Sequence, residues 1–251
     1  MRILTLDEKG VVAAILLGAA LFAFGTAAVM LGSTATVFKT GYAAAAGGLL
    51  YLIGMLWFLV LAAISTNAWK RKKKKLGLYE ESRGYMNVAA NGLGPLAFAV
   101  VGVVCGFLGY RLLYWGAVVG FIASLAAITA DKFSSEIGVL GGQPVMIFTF
   151  ERVKKGISGG ISGLGLAAGL GGAALAALLV FSFAPVFGLP AVVVGFFVIT
   201  ISGFVGTITD SMLGFYENKN IGNKHTSNYI SSLVGGLWGM ALFMLFIAII
   251  H

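Results

Sequence analysis

Charged residues are scarce in this chain: Asp, Glu, Lys and Arg make up 10% of its 251 residues, whereas 59% are hydrophobic. Soluble domains contain about a quarter charged residues, so the composition indicates an integral membrane protein. The single cysteine, Cys105, excludes an intramolecular disulfide and a site of several thiolates on a metal. The only histidines are His225 and His251, which leaves almost nothing for zinc or histidine-base chemistry.

Long apolar runs are abundant instead. A transmembrane helix needs about 20 mostly apolar residues, and the sequence offers seven such runs, at roughly 11–31, 42–66, 90–109, 112–130, 161–182, 186–208 and 229–250. The runs are continuously apolar and do not alternate, which favours helices over strands. We therefore expect an all-α, polytopic membrane helix bundle of about seven transmembrane helices, with residues 1–251 forming one integral membrane domain.

The charges cluster in three segments, roughly 67–90, 131–159 and 209–228. Basic residues near span ends are retained in the cytoplasm. A cytoplasmic N-terminus places all 17 lysines and arginines there except Lys39 and Arg111, and all nine acidic residues follow. We expect a multi-pass protein of the cell membrane, with an external C-terminus and three cytoplasmic active-site loops. The run Lys70–Lys75 is interpreted as a topology signal that also attracts anionic lipid.

Two aspartates follow apolar spans directly. An ionised carboxylate near the hydrocarbon boundary needs a cation, which could be Lys132, another basic side chain or a metal. Hard oxygen ligands without His or Cys suit Mg²⁺, which takes one or two carboxylates together with phosphate oxygens. The sequence thus predicts a magnesium site formed by Asp131, Glu136 and Asp210, and a structural ion pair is the alternative for Asp131.

Between the acidic segments lies a basic, glycine-rich stretch that begins at Lys154. Glycine lets backbone N–H groups approach an anion, and a helix N-terminus favours negative charge. This pattern predicts phosphate binding, although glycines entering a span also permit close helix packing. Glycine-rich spans would, in addition, leave room for a lipid tail. Asn87 and Asn91 share a helix face and either meet a ligand or pack helices, and Asn228 heads the last span.

The same residues carry a resemblance to a known family. Five motifs in order, R-x-x-x-N-V-x-A-N-G, A-D-x-x-x-S-E-I-G, K-G-x-S-G-G-I-S-x-x-G, D-S-x-L-G and N-x-x-S-S, resemble the phytyl-phosphate kinase family over about residues 7–250. Lys132 stands where that family usually has threonine. The resemblance implies transfer of a phosphate from CTP, or another nucleoside triphosphate, to a polyprenyl monophosphate. It singles out Arg83, Asn87, Asn91, Asp131, Glu136, Gly156, Ser158, Gly159, Gly160, Asp210 and Ser211.

The expected function is therefore a Mg²⁺-assisted kinase that converts an isoprenoid monophosphate to the diphosphate. We predict that Asp131, Glu136, Asp210 and Lys155 are catalytic, and that phosphate or nucleotide is bound by Arg83, Asn87, Asn91, Lys154, Gly156, Ser158, Gly159, Gly160, Ser211 and Asn228. The expected partners are a nucleoside triphosphate, an isoprenoid lipid phosphate and membrane lipid, with no nucleic acid. The alternatives are a kinase of the free isoprenoid alcohol, a lipid-phosphate cytidylyltransferase and, outside enzymes, an ion or solute transporter.

Overall fold

A computed structural model describes the backbone of residues 35–79 and 85–250, and the side chains of residues 48–79 and 90–249. The first predicted span, 11–31, and Arg83 lie outside the described residues. Asn87 belongs to a described helix, but its side chain is outside those described.

The described chain is almost entirely helical. Its helices are α1 (Ala35–Asn67), α2 (Lys70–Lys75), α3 (Tyr85–Leu108), α4 (Arg111–Gly138), α5 (Gly163–Ala177), α6 (Ala184–Phe187), α7 (Leu189–Glu217) and α8 (Lys224–Ile250). A 3₁₀ segment, Leu178–Phe183, joins α5 to α6. Two short antiparallel strands, β1 (Val145–Met146) and β2 (Gly160–Ile161), pair Val145 with Ile161 and Met146 with Gly160.

Six helical segments within the described residues are long and apolar enough to cross a membrane. They are Gly48–Asn67, Ala90–Leu108, Arg111–Gly138, Gly163–Phe187, Leu189–Glu217 and Lys224–Ile249. Each matches one of the seven predicted spans, which confirms the all-α membrane bundle. The structure differs at the span ends, because several helices continue through the charged segments that the sequence analysis treated as loops. Asp131 and Asp210 therefore lie inside helices α4 and α7.

Helix α4 lies at the centre of the bundle and contacts α1, α3, α5, α7 and α8. Its middle is built from small residues, and glycines of α7 pack directly against them. A Cβ atom on Gly203 would lie 2.6 Å from the Cβ of Ala126, and one on Gly206 would overlap the Cβ of Ala127. These glycines serve close helix packing, as small residues do in membrane bundles. At these two positions the helices are in direct contact, so no room for a lipid tail is left there.

Candidate functional site at the charged end of the bundle

Two aspartates meet at one end of the bundle, where α4 and α7 end and α8 begins. We call this region the charged end. Asp131 and Asp210 each lie about two turns before the last residue of their helix. Lys224, at the start of α8, places its Nζ 2.6 Å from Asp210 Oδ2 and 3.8 Å from Asp131 Oδ1. One ammonium group thus bridges two carboxylates from different helices.

The two carboxylates of the aspartate pair are mostly buried and share one lysine. The side chain of Asp210 is 6% exposed and that of Asp131 is 19% exposed. Asp210 Oδ1 is buried and has no hydrogen-bond partner, although a buried acceptor normally has one. With both carboxylates ionised, a single ammonium leaves one negative charge at this point. The donor set therefore suits a hard divalent cation held by two carboxylates.

Lys224 is the residue of this site that the sequence analysis missed. Lys132 was one possible cation for Asp131, but the basic side chain beside Asp131 in the structure is Lys224. A signal for it exists in the sequence. Lys224 lies five residues before the predicted span 229–250, so it is near the same membrane boundary as the two aspartates.

Glu136 does not join the aspartates. Its Oε2 lies 2.8 Å from Lys73 Nζ, and its Oε1 lies 2.6 Å from Lys132 Nζ. Lys73 is completely buried and also donates to the carbonyl oxygens of Ser65 and Thr66, at 3.1 and 2.5 Å. Two ammonium groups already hold this carboxylate, so the structure does not group Glu136 with Asp131 and Asp210 as the predicted third metal ligand. Among residues 48–79 and 90–249, no group of three His, Cys, Asp or Glu side chains is placed to hold a metal.

The glycine-rich stretch forms the second wall of the site. Ser158 donates a hydrogen bond from Oγ to Glu217 Oε2 at 2.6 Å, and Asn218 Nδ2 donates to the carbonyl oxygen of Ser158 at 2.6 Å. Gly159 has a φ of +78°, which favours glycine. Its backbone lies directly against Gly214 of α7, since a Cβ on Gly214 would be 2.5 Å from the Gly159 nitrogen. The loop is therefore fixed to the same helix that carries Asp210.

Gly214→Ala is expected to separate the glycine-rich stretch from α7. The added methyl group overlaps backbone that cannot move like a flexible side chain, so we expect a loss of about 1–3 kcal/mol in the free energy of unfolding. Thermal unfolding in detergent measures the change. Gly171→Ala is the matched control, because nothing lies within 4 Å of a Cβ there. Equal melting temperatures for the two variants would contradict this close contact.

A cavity of about 550 Å³ lies between these walls. Six predicted site residues besides Glu136 and the two aspartates line it, namely Lys155, Gly156, Ser158, Gly159, Gly160 and Ser211. Lys155 is half-buried, and its Nζ donates to the carbonyl oxygen of Gly141 at 2.6 Å. Lys224, Ser134, Ser162 and Tyr79 also line it. The volume is in the range of small-molecule sites, which is roughly 300–1,000 Å³.

Three predicted binding residues lie apart from this cavity. Asn228 Nδ2 donates to Asn91 Oδ1 at 3.1 Å, which links α8 to α3, and neither asparagine lines the cavity. This arrangement corresponds to the helix-packing alternative for Asn91, and the ligand contact expected of the two asparagines stays a prediction. Lys154 is exposed and is not among the lining residues.

Comparisons with known proteins identify relatives of this chain. Residues 30–241 match the model of a family described as "Integral membrane protein DUF92". An uncharacterized membrane protein of Methanocaldococcus jannaschii is 37% identical over 198 residues, which are 78% of this chain and 77% of that protein. Protein PGR of Arabidopsis thaliana is 30% identical over 129 residues, which are 46% of this chain and 44% of that protein. No solved structure matches the chain.

Proposed function

The chain belongs to the integral membrane protein DUF92 family, and from this premise we propose that it transfers a phosphoryl group from a nucleoside triphosphate, with CTP favoured, to an isoprenoid monophosphate. The reaction takes place at the charged end of the bundle, which we assign to the cytoplasmic face of the cell membrane. The observation that carries the proposal is the pairing of Asp131 and Asp210 beside a glycine-rich wall within one cavity. The five motifs that resemble the phytyl-phosphate kinase family support the choice of substrates.

The aspartate pair is the proposed magnesium site. Asp131 and Asp210 supply two carboxylates from two different helices, and Asp210 Oδ1 is a buried acceptor without a hydrogen-bond partner. Bound there, Mg²⁺ would offset the charge of the phosphate oxygens that meet in the cavity. The side chain of Lys224 is 40% exposed, so it can turn towards solvent or towards phosphate once a bound cation takes its place beside Asp210.

The glycine-rich stretch, which forms the other wall of the cavity, supplies the remaining positive groups. Lys155 reaches the cavity, and its ammonium hydrogen-bonds only to a backbone carbonyl among the contacts described for it. Gly156 and Gly159 have φ angles of +85° and +78°, so the backbone there turns tightly and can approach an anion. Phosphoryl transfer depends on positioning and charge stabilisation, and these groups provide both.

The chemistry needs no general base. An oxygen of the lipid monophosphate, which is already ionised near neutral pH, attacks the γ-phosphorus of the nucleotide. A new P–O bond forms while the bond to the bridging oxygen breaks, and the nucleoside diphosphate leaves with that electron pair. Repulsion between the two anions is the main obstacle, and Lys155 and Lys224 lower it by holding positive charge at the cavity. The glycine contacts that close the α4–α7 interface leave the isoprenoid tail in the surrounding bilayer.

A substrate panel tests the proposal. Purified protein receives CTP labelled on the γ-phosphate, Mg²⁺ and either geranylgeranyl phosphate or geranylgeraniol, and thin-layer chromatography follows the label. We expect label in the prenyl diphosphate only. Label in a monophosphate made from the alcohol would instead indicate an alcohol kinase, in which a carboxylate accepts the hydroxyl proton. Release of pyrophosphate would indicate a cytidylyltransferase, and no transfer of any kind would contradict the enzyme assignment.

A further inference from the structure

Beside the cavity, the segment 144–161 presents two exposed aromatic rings. We call this segment the hairpin, since β1 and β2 pair within it. Phe148 is 45% exposed and Phe150 is 71% exposed. Phe150 also has a φ of +56°, a conformation that a bulky residue rarely adopts. A glycine or asparagine would suit this backbone conformation better, so the turn itself does not require an aromatic side chain.

The two rings continue the lipid-facing surface of α7. That helix exposes Phe197, Ile201, Met212 and Tyr216, while Asp210 is on its buried face. The ring of Phe148 packs 5.1 Å from that of Phe215 and 6.1 Å from that of Tyr216, measured between centroids. The hairpin therefore extends over the side of α7 that faces lipid, at the level where the apolar helix ends.

Exposed charged side chains lie close to these rings in the chain, and one of them is the carboxylate of Glu151. Arg152 and Lys154 are exposed on the hairpin itself. Lys219, just beyond the end of α7, is also exposed and places its Nζ 4.3 Å from the centre of the Phe215 ring. Aromatic rings favour the interface between hydrocarbon and water, and basic residues at that depth attract anionic headgroups. Both features match the same layer of a bilayer.

From this arrangement we propose that the hairpin is an interfacial membrane anchor, with Phe148 and Phe150 inserted at the headgroup level and Arg152, Lys154 and Lys219 bound to anionic lipid phosphates. The proposal does not depend on the phosphoryl-transfer chemistry. In this proposal, the exposed side chain of Lys154 binds a lipid phosphate. Since Gly159 of the same hairpin lies on the buried side of α7 against Gly214, the anchor also fixes a cavity wall relative to the membrane.

A fluorescent reporter tests the anchor. The reporter is attached to Thr149→Cys, between the two rings, in a Cys105→Ser background, because Cys105 is the only native cysteine. A matched reporter at Gly142→Cys lies in the same connection, where a side chain meets nothing within 4 Å. Gly142 is exposed and lies before the hairpin in the connection that follows α4. Both proteins are reconstituted in vesicles of phosphatidylcholine and phosphatidylglycerol.

We expect spin labels at the lipid headgroup to quench the Thr149 reporter severalfold more than the Gly142 reporter, and aqueous iodide to do the reverse. Adding Phe148→Ser and Phe150→Gly should remove the difference, and glycine suits the left-handed backbone at 150, so the second change adds no backbone strain. Equal quenching of the two reporters would overturn the proposal. The proposal would also be overturned if the Thr149 reporter lost its protection from iodide when the protein is diluted in lipid. A second copy of the chain would then be what covers the rings.

Discussion

Asp210→Asn is expected to lower phosphoryl transfer by about a thousandfold or more, equivalent to roughly 4 kcal/mol of transition-state stabilisation. The amide is the same size as the carboxylate but carries no charge, so the pair can no longer hold a divalent cation. Asp131→Asn should have a similar effect. Folding should survive both changes, because Lys224 is partly exposed and keeps one carboxylate partner in each variant. The rate of transfer from labelled nucleotide measures the effect.

Binding of Mn²⁺ in place of Mg²⁺, followed by electron paramagnetic resonance, separates a metal role from a structural one. The wild type should bind the ion, and both aspartate variants should bind it much more weakly. Thr209→Val is the matched control, since Thr209 hydrogen-bonds only to the Val205 carbonyl of its own helix among the described contacts, at 2.9 Å. Full activity in both purified aspartate variants would reject the metal assignment.

The sequence predicted the membrane bundle well, because span formation depends on local composition. A run of about 20 apolar residues has few alternatives to a transmembrane helix. The approach of Asp131 to Asp210 was also predictable, since both follow apolar spans that end on the same side of the membrane by the charge rule. Neither inference required knowledge of how side chains pack.

The separation of Glu136 from the aspartates has a simple geometric cause. Residues 131–159 were predicted to form a cytoplasmic loop. The chain instead stays helical to Gly138, and five residues along a helix correspond to about 500°, or 140° beyond a full turn. Glu136 therefore faces α1 and α2 while Asp131 faces α7 and α8. The position at which the helix ends, and not the sequence motif, determines which carboxylates can lie close together.

The partner of Glu136 could not be selected from the sequence. Lys73 is one of six consecutive basic residues, and nothing in its type separates it from its neighbours. Only the three-dimensional arrangement shows that this lysine is completely buried. The lysine that replaces the usual threonine, Lys132, completes the network from the same helix as Glu136. The basic run thus contributes to the interior of the protein as well as to topology.

Glu136→Gln is expected to destabilise the protein by about 3–5 kcal/mol, because it leaves two buried ammonium groups without their carboxylate. The Lys73 side chain is 0% exposed and that of Lys132 is 8% exposed, so neither reaches water without moving its helix. Thermal unfolding in detergent should show a large decrease in melting temperature. The size of this effect distinguishes Glu136 from Asp131, whose replacement by asparagine is expected to lower activity and not stability.

A triple variant decides whether Glu136 acts only through structure. Replacing Lys73, Lys132 and Glu136 together, by methionine, methionine and leucine, removes the three charges that the two described ion pairs join. Apolar replacement of a buried ionic network is often neutral or stabilising, so the melting temperature should return towards that of the wild type. Activity should return with it, because the aspartate pair and the glycine-rich wall are unchanged. A variant that folds normally but transfers no phosphate would instead place the Glu136 carboxylate among the catalytic groups.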